Sequence, residues 1–474
     1  MAFPVLLLVA PSYAADPLPV RPTVETLRAL AMSGLLDRTP CNAVFVGARW
    51  VGSDDIGLAF TPLGKHFGSR LTLHNFEAAA GQCEQQAADI AQRPGEMSVC
   101  NEVCHGVAIN EFVCNAAVAA EGAEPRCAAG TVPFYVQHEA VCSSLLKANT
   151  AAMERHGLNT EDFRCGETVE VLAMETSTID ASGFAPKSVD YVKLDVQGAD
   201  LAVLRGGRKA LADVSFAQIE VEFIELYEGQ PLFWEVDRYA REELGLTFMG
   251  FIDGSIHPRA PKRLSYKLPG SSNVLLHADA IYIREPLPLV PSSGGRVADP
   301  AAYPYEVALR DRIVKVAALA SAHAYHSITV ELLDWMLRWS AAPACVRVRA
   351  AVAIVLVPAA YDDVAFAATK EGLGPSYAEA AALIAAATPE GTVKSATALC
   401  LRRSNPATVV ATIQVTHHWQ EYVVQPVVEL LRGVAPRARA AEFCTRYAVD
   451  MWDDCVDRIG AHLVEARDAA SREL

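Results

Sequence analysis

The chain has 474 residues, of which 51% are hydrophobic and 20% charged, ample apolar material for a sizeable core without a disulfide or metal staple. Its formal net charge of -15 and pI near 5.3 give a surface that repels phosphate backbones. The densest basic cluster, Arg205 to Lys209, is short, so nucleic acid is not an expected partner. No apolar run approaches the ~20 residues that span a bilayer, so no membrane span is expected either.

Met1 to Ala15 reads MAFPVLLLVAPSYAA, an apolar run with an A-x-A-like end near Ser12-Tyr13-Ala14. It resembles a signal peptide, yet its start carries no Lys or Arg, and Pro4 and Pro11 bracket the apolar run. The reading taken is an extended tail packed on the first domain of a cytoplasmic protein, with export as the alternative. The twelve cysteines are scattered without paired CxxC spacing and read as buried free thiols in a reducing compartment. Cys100, Cys104, His105 and Cys114 lie close in sequence, but their spacing matches zinc sites poorly, so no metal is expected.

Thr23 to Leu36 carries apolar residues at helical spacing behind a possible cap at Thr23. Asn42 to Gly47 and Leu71 to Phe76 read as buried strands, the second followed by Glu77 and an Ala/Gln-rich helix to about Gln92. Glu111 to Ala119 is a third candidate strand, and Thr131 to Val136 a fourth that could pair with it as a hairpin; Thr168 to Met174 is another. Val189 to Leu194 is a buried strand ending at Asp195, and a turn at Gln197-Gly198 leads into a helix carrying Leu201, Leu204 and Leu211. Ser215 to Ile224 is the next strand, Leu232 to Leu244 the next helix, and Leu246 to Ile252 and Val274 to Ile283 two closing strands without a helix between them. Alternating strands and helices imply an α/β, Rossmann-like, mostly parallel sheet; the last two strands imply an antiparallel edge.

Between Pro286 and Pro304 five prolines, two adjacent serines and two adjacent glycines mark a linker. Beyond it the chain is alanine-rich and helical without convincing strands. Its clearest element is an amphipathic helix from Ala438 to Arg472, which packs within its own domain or, alternatively, forms a homo-oligomer contact. The expected organisation is an extension and helix over 1–40, an α/β domain over 41–285, a linker over 286–304 and an all-α domain over 305–474. His417-His418, a pair without further ligands, and Trp335/Trp339, whose spacing is simply helical, carry no ligand expectation.

In an open parallel sheet, ligands bind beyond the C-terminal strand ends, where the strand order reverses. Gly47, Ala48 and Gly52 follow the first strand and are small enough to let a cofactor approach the backbone, although a glycine there can also be a simple turn. Glu77 follows the second strand, 30 residues beyond Gly47, where a carboxylate can accept both ribose hydroxyls or, alternatively, begin a helix as a solvated cap. Lys193 and Asp195 flank Leu194 at the end of an apolar strand, as a functional pair or as an ion pair that only holds the strand end.

Val189 to Gly207 (VDYVKLDVQGADLAVLRGG) closely resembles the signature of the FkbM-type methyltransferases, approximately D-F-L-K-I-D-V-E-G-A-E-x-x-V-L-x-G. Thr178-Ile179-Asp180 resembles the family's upstream T-L-D, Ile219 to Glu222 with Leu226-Tyr227 and Gln230 to Phe233 its next strand and helix entry, and Ala278 to Tyr282 its terminal strand. Three departures stand out: Val46 where the family has an acid, a glycine loop one residue longer, and Gln197 and Asp200 where it often has glutamates. Val99 to Cys114 looks like an insertion that the family does not have.

The resemblance implies a class I methyltransferase fold, S-adenosylmethionine as cofactor, and a hydroxyl on a sugar, glycan or secondary metabolite as acceptor. Asp195 is then the first candidate base and a cofactor neighbour, Lys193 its orienting partner, and Glu222 the rival base; Gly47, Ala48, Gly52 and Glu77 form the cofactor end. Two other readings stand beside it. A nicotinamide-dependent oxidoreductase on the same sheet is opposed by the absent GxGxxG and the antiparallel closing strands. A catalytically impaired, methyltransferase-like assembly protein acting through its helical half is suggested by Val46 and the altered loop.

Overall fold

The computed structural model describes residues 23–47, 63, 66–67, 70–78, 101–104, 108–109, 131–156, 158, 164–252, 257–258, 275–290, 296–357, 375–386, 409–414, 417–419, 422–424, 427–431 and 464. Strands β1 (Cys41–Val46), β2 (Leu71–Phe76), β3 (Asn101–Cys104), β7 (Tyr191–Leu194) and β8 (Phe216–Glu222) run parallel to one another. The sheet order runs β10-β11-β8-β7-β1-β2-β3, with β11 (Leu275–Ile283) antiparallel to β8, and both β9 (Thr247–Phe251) and β10 (His257–Pro258) antiparallel to β11. The expected Rossmann-like sheet with an antiparallel closing edge is therefore present. After β1 the chain builds outward through β2 and β3; it then returns to the other side of β1 to add β7 and β8, so the order reverses between β1 and β7.

The central strands are buried and rich in apolar residues because both faces are covered. On one face, helix α1 (Thr23–Met32) and the later helices α5 (Val307–Ala322), α6 (His326–Arg338) and α7 (Ala344–Leu356) share a core with Phe45, Tyr191, Phe216, Ile281 and Ile283. On the other, α3 (Asp200–Gly206) and α4 (Phe233–Glu242) pack over Val44, Val192, Leu194, Ala217, Ile219 and Val221. The composition break at 286–304 thus does not separate two cores. A short strand pair inside it, β12 (Leu289–Val290) with β13 (Arg296–Val297), leads to backbone carbonyls bonded by the helices: Trp335 Nε1 donates to Ala298 at 3.1 Å and Trp339 Nε1 to Tyr303 at 2.9 Å.

Ion pairs tie the same layers together. Lys315 on α5 reaches Asp190 at the start of β7 at 2.7 Å, and Arg312 reaches Asp213 at 2.9 Å. Just past α5, His323 stacks on Phe216 and Tyr191 with ring centroids 4.5 and 5.7 Å away. Burial holds its imidazole far below its ordinary range, at about 3, so it is neutral.

Several expectations are corrected. β5 (Thr131–Gln137) pairs antiparallel with β6 (Thr168–Ser177), and β4 (Ala108–Ile109) joins β6 on its other side; the 111–119 segment expected beside β5 lies outside the described residues. The stretch read as an insertion, Val99 to Cys114, supplies sheet strand β3 as well as β4, because its Asn101-Glu-Val-Cys104 run pairs with β2. Cys142 is bonded to Cys165, with Cα atoms 5.4 Å apart, so these two are not free thiols; Cys41 is free and buried. The bond closes a loop containing the helix α2 (Thr150–His156) beside the β5–β6 hairpin. The C-terminal region is helical over α5 to α7 and again over 375–386, but it also holds strands the sequence did not announce. β14 (Val409–Gln414) pairs with β17 (Val427–Leu431), and β15 (His417–Trp419) with β16 (Tyr422–Val424); the β-branched residues of β14, β16 and β17 favour strands. The expected helix over 438–472 lies outside the described residues except for Val464, which is helical, and so does the helix expected after Glu77.

Candidate active site

The site is built where the strand order reverses. Gly47, at φ +80°, turns the chain sharply at the end of β1, and its N–H donates to the Phe76 carbonyl at 3.0 Å. A Cβ on Gly47 would lie 1.8 Å from the Asp195 carbonyl oxygen, so only glycine lets the ends of β1 and β7 come this close. Glu77, directly after β2, is buried at 6% exposure beside this crest. Ala48 and Gly52, the other expected members of the glycine loop, lie outside the described residues.

Beyond β7 the side chains converge on Asp195. Lys193 Nζ lies 3.7 Å from Asp195 Oδ2, with the lysine side chain 9% exposed and the aspartate 29%. Gln197 Nε2 donates to Asp195 Oδ1 at 3.0 Å and to Glu220 Oε2 at 2.8 Å, bridging two carboxyl groups. Glu220 and Glu222 alternate along β8 and therefore share a face of the sheet. From β11, His277 Nδ1 approaches Glu220 Oε1 at 3.2 Å. Asp200, at the start of α3, accepts the Val196 N–H at 3.3 Å through Oδ1.

Gln197 is held in a left-handed conformation, φ 55°, which is uncommon for a residue with a Cβ. The neighbouring insert restrains it: Ser144 Oγ donates to its carbonyl at 2.8 Å, and the Tyr227 hydroxyl lies 2.8 Å from its Oε1 and 3.0 Å from the Cys142 carbonyl. Tyr227 and Gln230 also pack on Gly198, whose added Cβ would meet them at 3.1 and 3.2 Å. Family-like residues after β8 thus brace the turn that aims Gln197.

The carboxyl groups differ in charge. Burial pushes Asp195 up, but Lys193, the hydrogen bonds from Glu220 and Gln197, and His277 outweigh it, so Asp195 is held below its usual range and is ionised. Burial and then the Asp195 and Glu222 charges push Glu220 well above the usual range; burial with Asp200 and Asp195 does the same to Glu222. Burial, followed by the Asp195 charge, raises Asp200 to about 8. Asp195 is thus the carboxyl of the cluster that is held low, while its neighbours Asp200, Glu220 and Glu222 are all pushed up.

The structure brings together Lys193, Asp195 and Glu222 as expected from sequence, and puts Gly47 and Glu77 on the adjacent strand ends. Sequence reasoning missed Gln197 as a bridge, Glu220, Tyr227, Asp200 and His277. The alternation of Ile219-Glu220-Val221-Glu222 was the available signal for Glu220. The Thr178-Ile179-Asp180 motif is a brace: Asp180 accepts the Lys209 and Ala210 amides at 3.0 and 2.8 Å, and Thr178 Oγ1 accepts the Ala181 amide at 2.9 Å.

Residues 64–246 match the family model described as Methyltransferase FkbM domain, a span running from before β2 through α4. This part of the chain is similar to the FkbM methyltransferase domain. The chain is also 34% identical over 94 residues to the 2-O-methyltransferase NoeI of Sinorhizobium fredii, a match covering 19% of this chain and 39% of that protein. The chain thus matches well under half the length of that curated relative. No solved structure matches it. The FkbM match begins after β1, so Gly47 and the loop behind it stand outside it, while the Lys193–Asp200 turn and both β8 glutamates stand inside. No helix among the described residues is long and apolar enough to cross a membrane, and no three His, Cys, Asp or Glu side chains among them are placed to hold one metal ion.

Proposed function

We propose that the protein is an S-adenosylmethionine-dependent O-methyltransferase acting on a hydroxyl of a sugar, glycan or secondary metabolite. The observation that carries this reading is Asp195: an ionised, part-exposed carboxylate at the strand-order reversal, held in place by Lys193 and Gln197. The name of the NoeI relative supports oxygen as the acceptor atom. The residues present suit the cofactor. Gly47 keeps the crest between β1 and β7 free of a side chain, Glu77 offers a carboxylate to ribose hydroxyls, and the Asp195 carboxylate favours a cation nearby.

When bound, S-adenosylmethionine supplies a methyl group on a positively charged sulfur. Asp195 accepts the proton of the acceptor hydroxyl as the oxygen gains the methyl, and Lys193 and Gln197 fix the carboxylate for that transfer. Glu222 is 3% exposed, and burial with the Asp200 and Asp195 charges pushes its carboxyl well above the usual range, so Asp195, held low, is the preferred base. A disulfide persists in oxidising compartments, so the Cys142–Cys165 bond favours export over the cytoplasmic alternative.

The test is methyl transfer from labelled S-adenosylmethionine to a panel of hydroxylated glycans and metabolites, with D195N as the comparison. Loss of a general base predicts turnover down by about 10²–10⁴ with cofactor binding retained. Undiminished turnover in D195N removes Asp195 from the mechanism.

A further inference from the structure

Four carboxyl groups, Asp195, Asp200, Glu220 and Glu222, meet at the ends of β7 and β8 and the start of α3, and Lys193 pairs with Asp195 among them. The other groups facing the cluster are Gln197 and Tyr227 from the loops, and from β11 His277 and Asp279, which stand opposite Glu222 and Glu220 in register. Asp200 is 2% exposed, and among the described residues its Oδ2 has no hydrogen-bond partner. A buried carboxyl oxygen without a partner is costly, and so many acids in one buried place cannot all ionise. Such an arrangement is filled either by protons or by a positively charged ligand.

We propose that Asp200, Glu220 and Glu222 hold protons that they give up when a sulfonium cation enters, so that the site distinguishes the charged methyl donor from its neutral thioether product. The inference rests on the S-adenosylmethionine reading above. No bond to the ligand forms or breaks in this exchange: a carboxyl O–H ionises, its proton passes to solvent, and the new carboxylate neutralises the cation. His277, 24% exposed at its side chain and in contact with Glu220, is the polar neighbour on the solvent side of that path. Once the methyl has been transferred, the product carries no sulfonium charge, the carboxyl regains its proton, and the electrostatic hold on the ligand is lost. Asp200, with its carboxyl raised to about 8, ionises within the neutral range where such an exchange is driven by a single added charge.

Calorimetric titration of the full chain in two buffers of different ionisation enthalpy counts the protons released per ligand bound. S-adenosylmethionine is expected to release protons at neutral pH, and S-adenosylhomocysteine none. The affinity ratio of the two should climb with pH, about tenfold per unit where one full proton is displaced. In E220Q and D200N, checked as folded by thermal melting, the proton count for S-adenosylmethionine should fall. Equal proton counts for the two ligands overturn the inference and leave the cofactor reading intact. Failure of both ligands to bind overturns the cofactor reading, and this inference with it.

Discussion

Lys315 joins the helical half of the chain to the sheet. Its ammonium lies 2.7 Å from Asp190 Oδ1, the two side chains are 18% and 13% exposed, and Asp190 Oδ2 accepts the Asn42 N–H at 2.9 Å. Burial pushes Asp190 above its usual range, while Lys315 and the Asn42 amide pull it back. Replacing Lys315 with Met keeps the apolar stem and leaves the carboxylate with one amide donor. Breaking one side of a buried pair costs about 3–5 kcal/mol; the residual solvent access here puts K315M at the lower end, about 2–3 kcal/mol. The sign with pH follows. Without the lysine the Asp190 pKa rises further, so the penalty is present above that raised pKa and shrinks as pH falls and the carboxyl is protonated. Urea unfolding of wild type, K315M and K315M/D190N at about pH 5 and pH 8 measures this. K315M should lose more stability at the higher pH, and the added D190N should recover part of the loss. A loss below about 0.5 kcal/mol at both pH values, the range of ordinary surface substitutions, refutes the claim that the α5–sheet junction is a buried layer.

His323 is neutral in the core with its pKa near 3 against an unfolded 6.5, so the unfolded chain takes up the extra proton as pH falls through that window. Its contribution is intact above 6.5 and declines by up to ~1.4 kcal/mol per unit below it; melting temperatures of H323L should fall less steeply on acidification than those of wild type, and parallel slopes argue against a buried neutral imidazole. The Cys142–Cys165 bond spans 23 residues, for which chain entropy gives about 3 kcal/mol. The C142S/C165S double variant should melt lower, and it should bind S-adenosylhomocysteine more weakly because the Cys142 carbonyl and Ser144 restrain Tyr227 and Gln197. Unchanged binding would disconnect the insert from the site.

What the sequence revealed follows from where the physics is local. Tyr191 to Leu194 is buried on both faces because β7 is central, and a mostly apolar run without alternation that ends in charge at Asp195 marks a buried strand ending at a site. The closing strands were legible because no helix separates β9 from β11. The hairpin partner of β5 was not: β6 lies about thirty residues on, and pairing register is a tertiary choice. Strand β3 was concealed in a cysteine-rich stretch whose short apolar run gives little periodicity. In the site, Asp195 and Lys193 announced themselves as charge inside an apolar run, whereas His277 reaches Glu220 only through antiparallel pairing of β11 with β8. The Cys142–Cys165 pairing could not be read from spacing, since connectivity does not follow from sequence alone. The helices after Pro304 read as a body apart because composition reports a boundary, while their apolar faces carry no label for the sheet they cover.

The central claim is that the crest between β1 and β7 holds S-adenosylmethionine. Calorimetric titration of the purified protein with S-adenosylhomocysteine, repeated on E77A, tests it most directly. The account predicts saturable binding in wild type that is lost or strongly weakened in E77A, with the variant otherwise folded. No binding to wild type, or equal binding by both proteins, would contradict it.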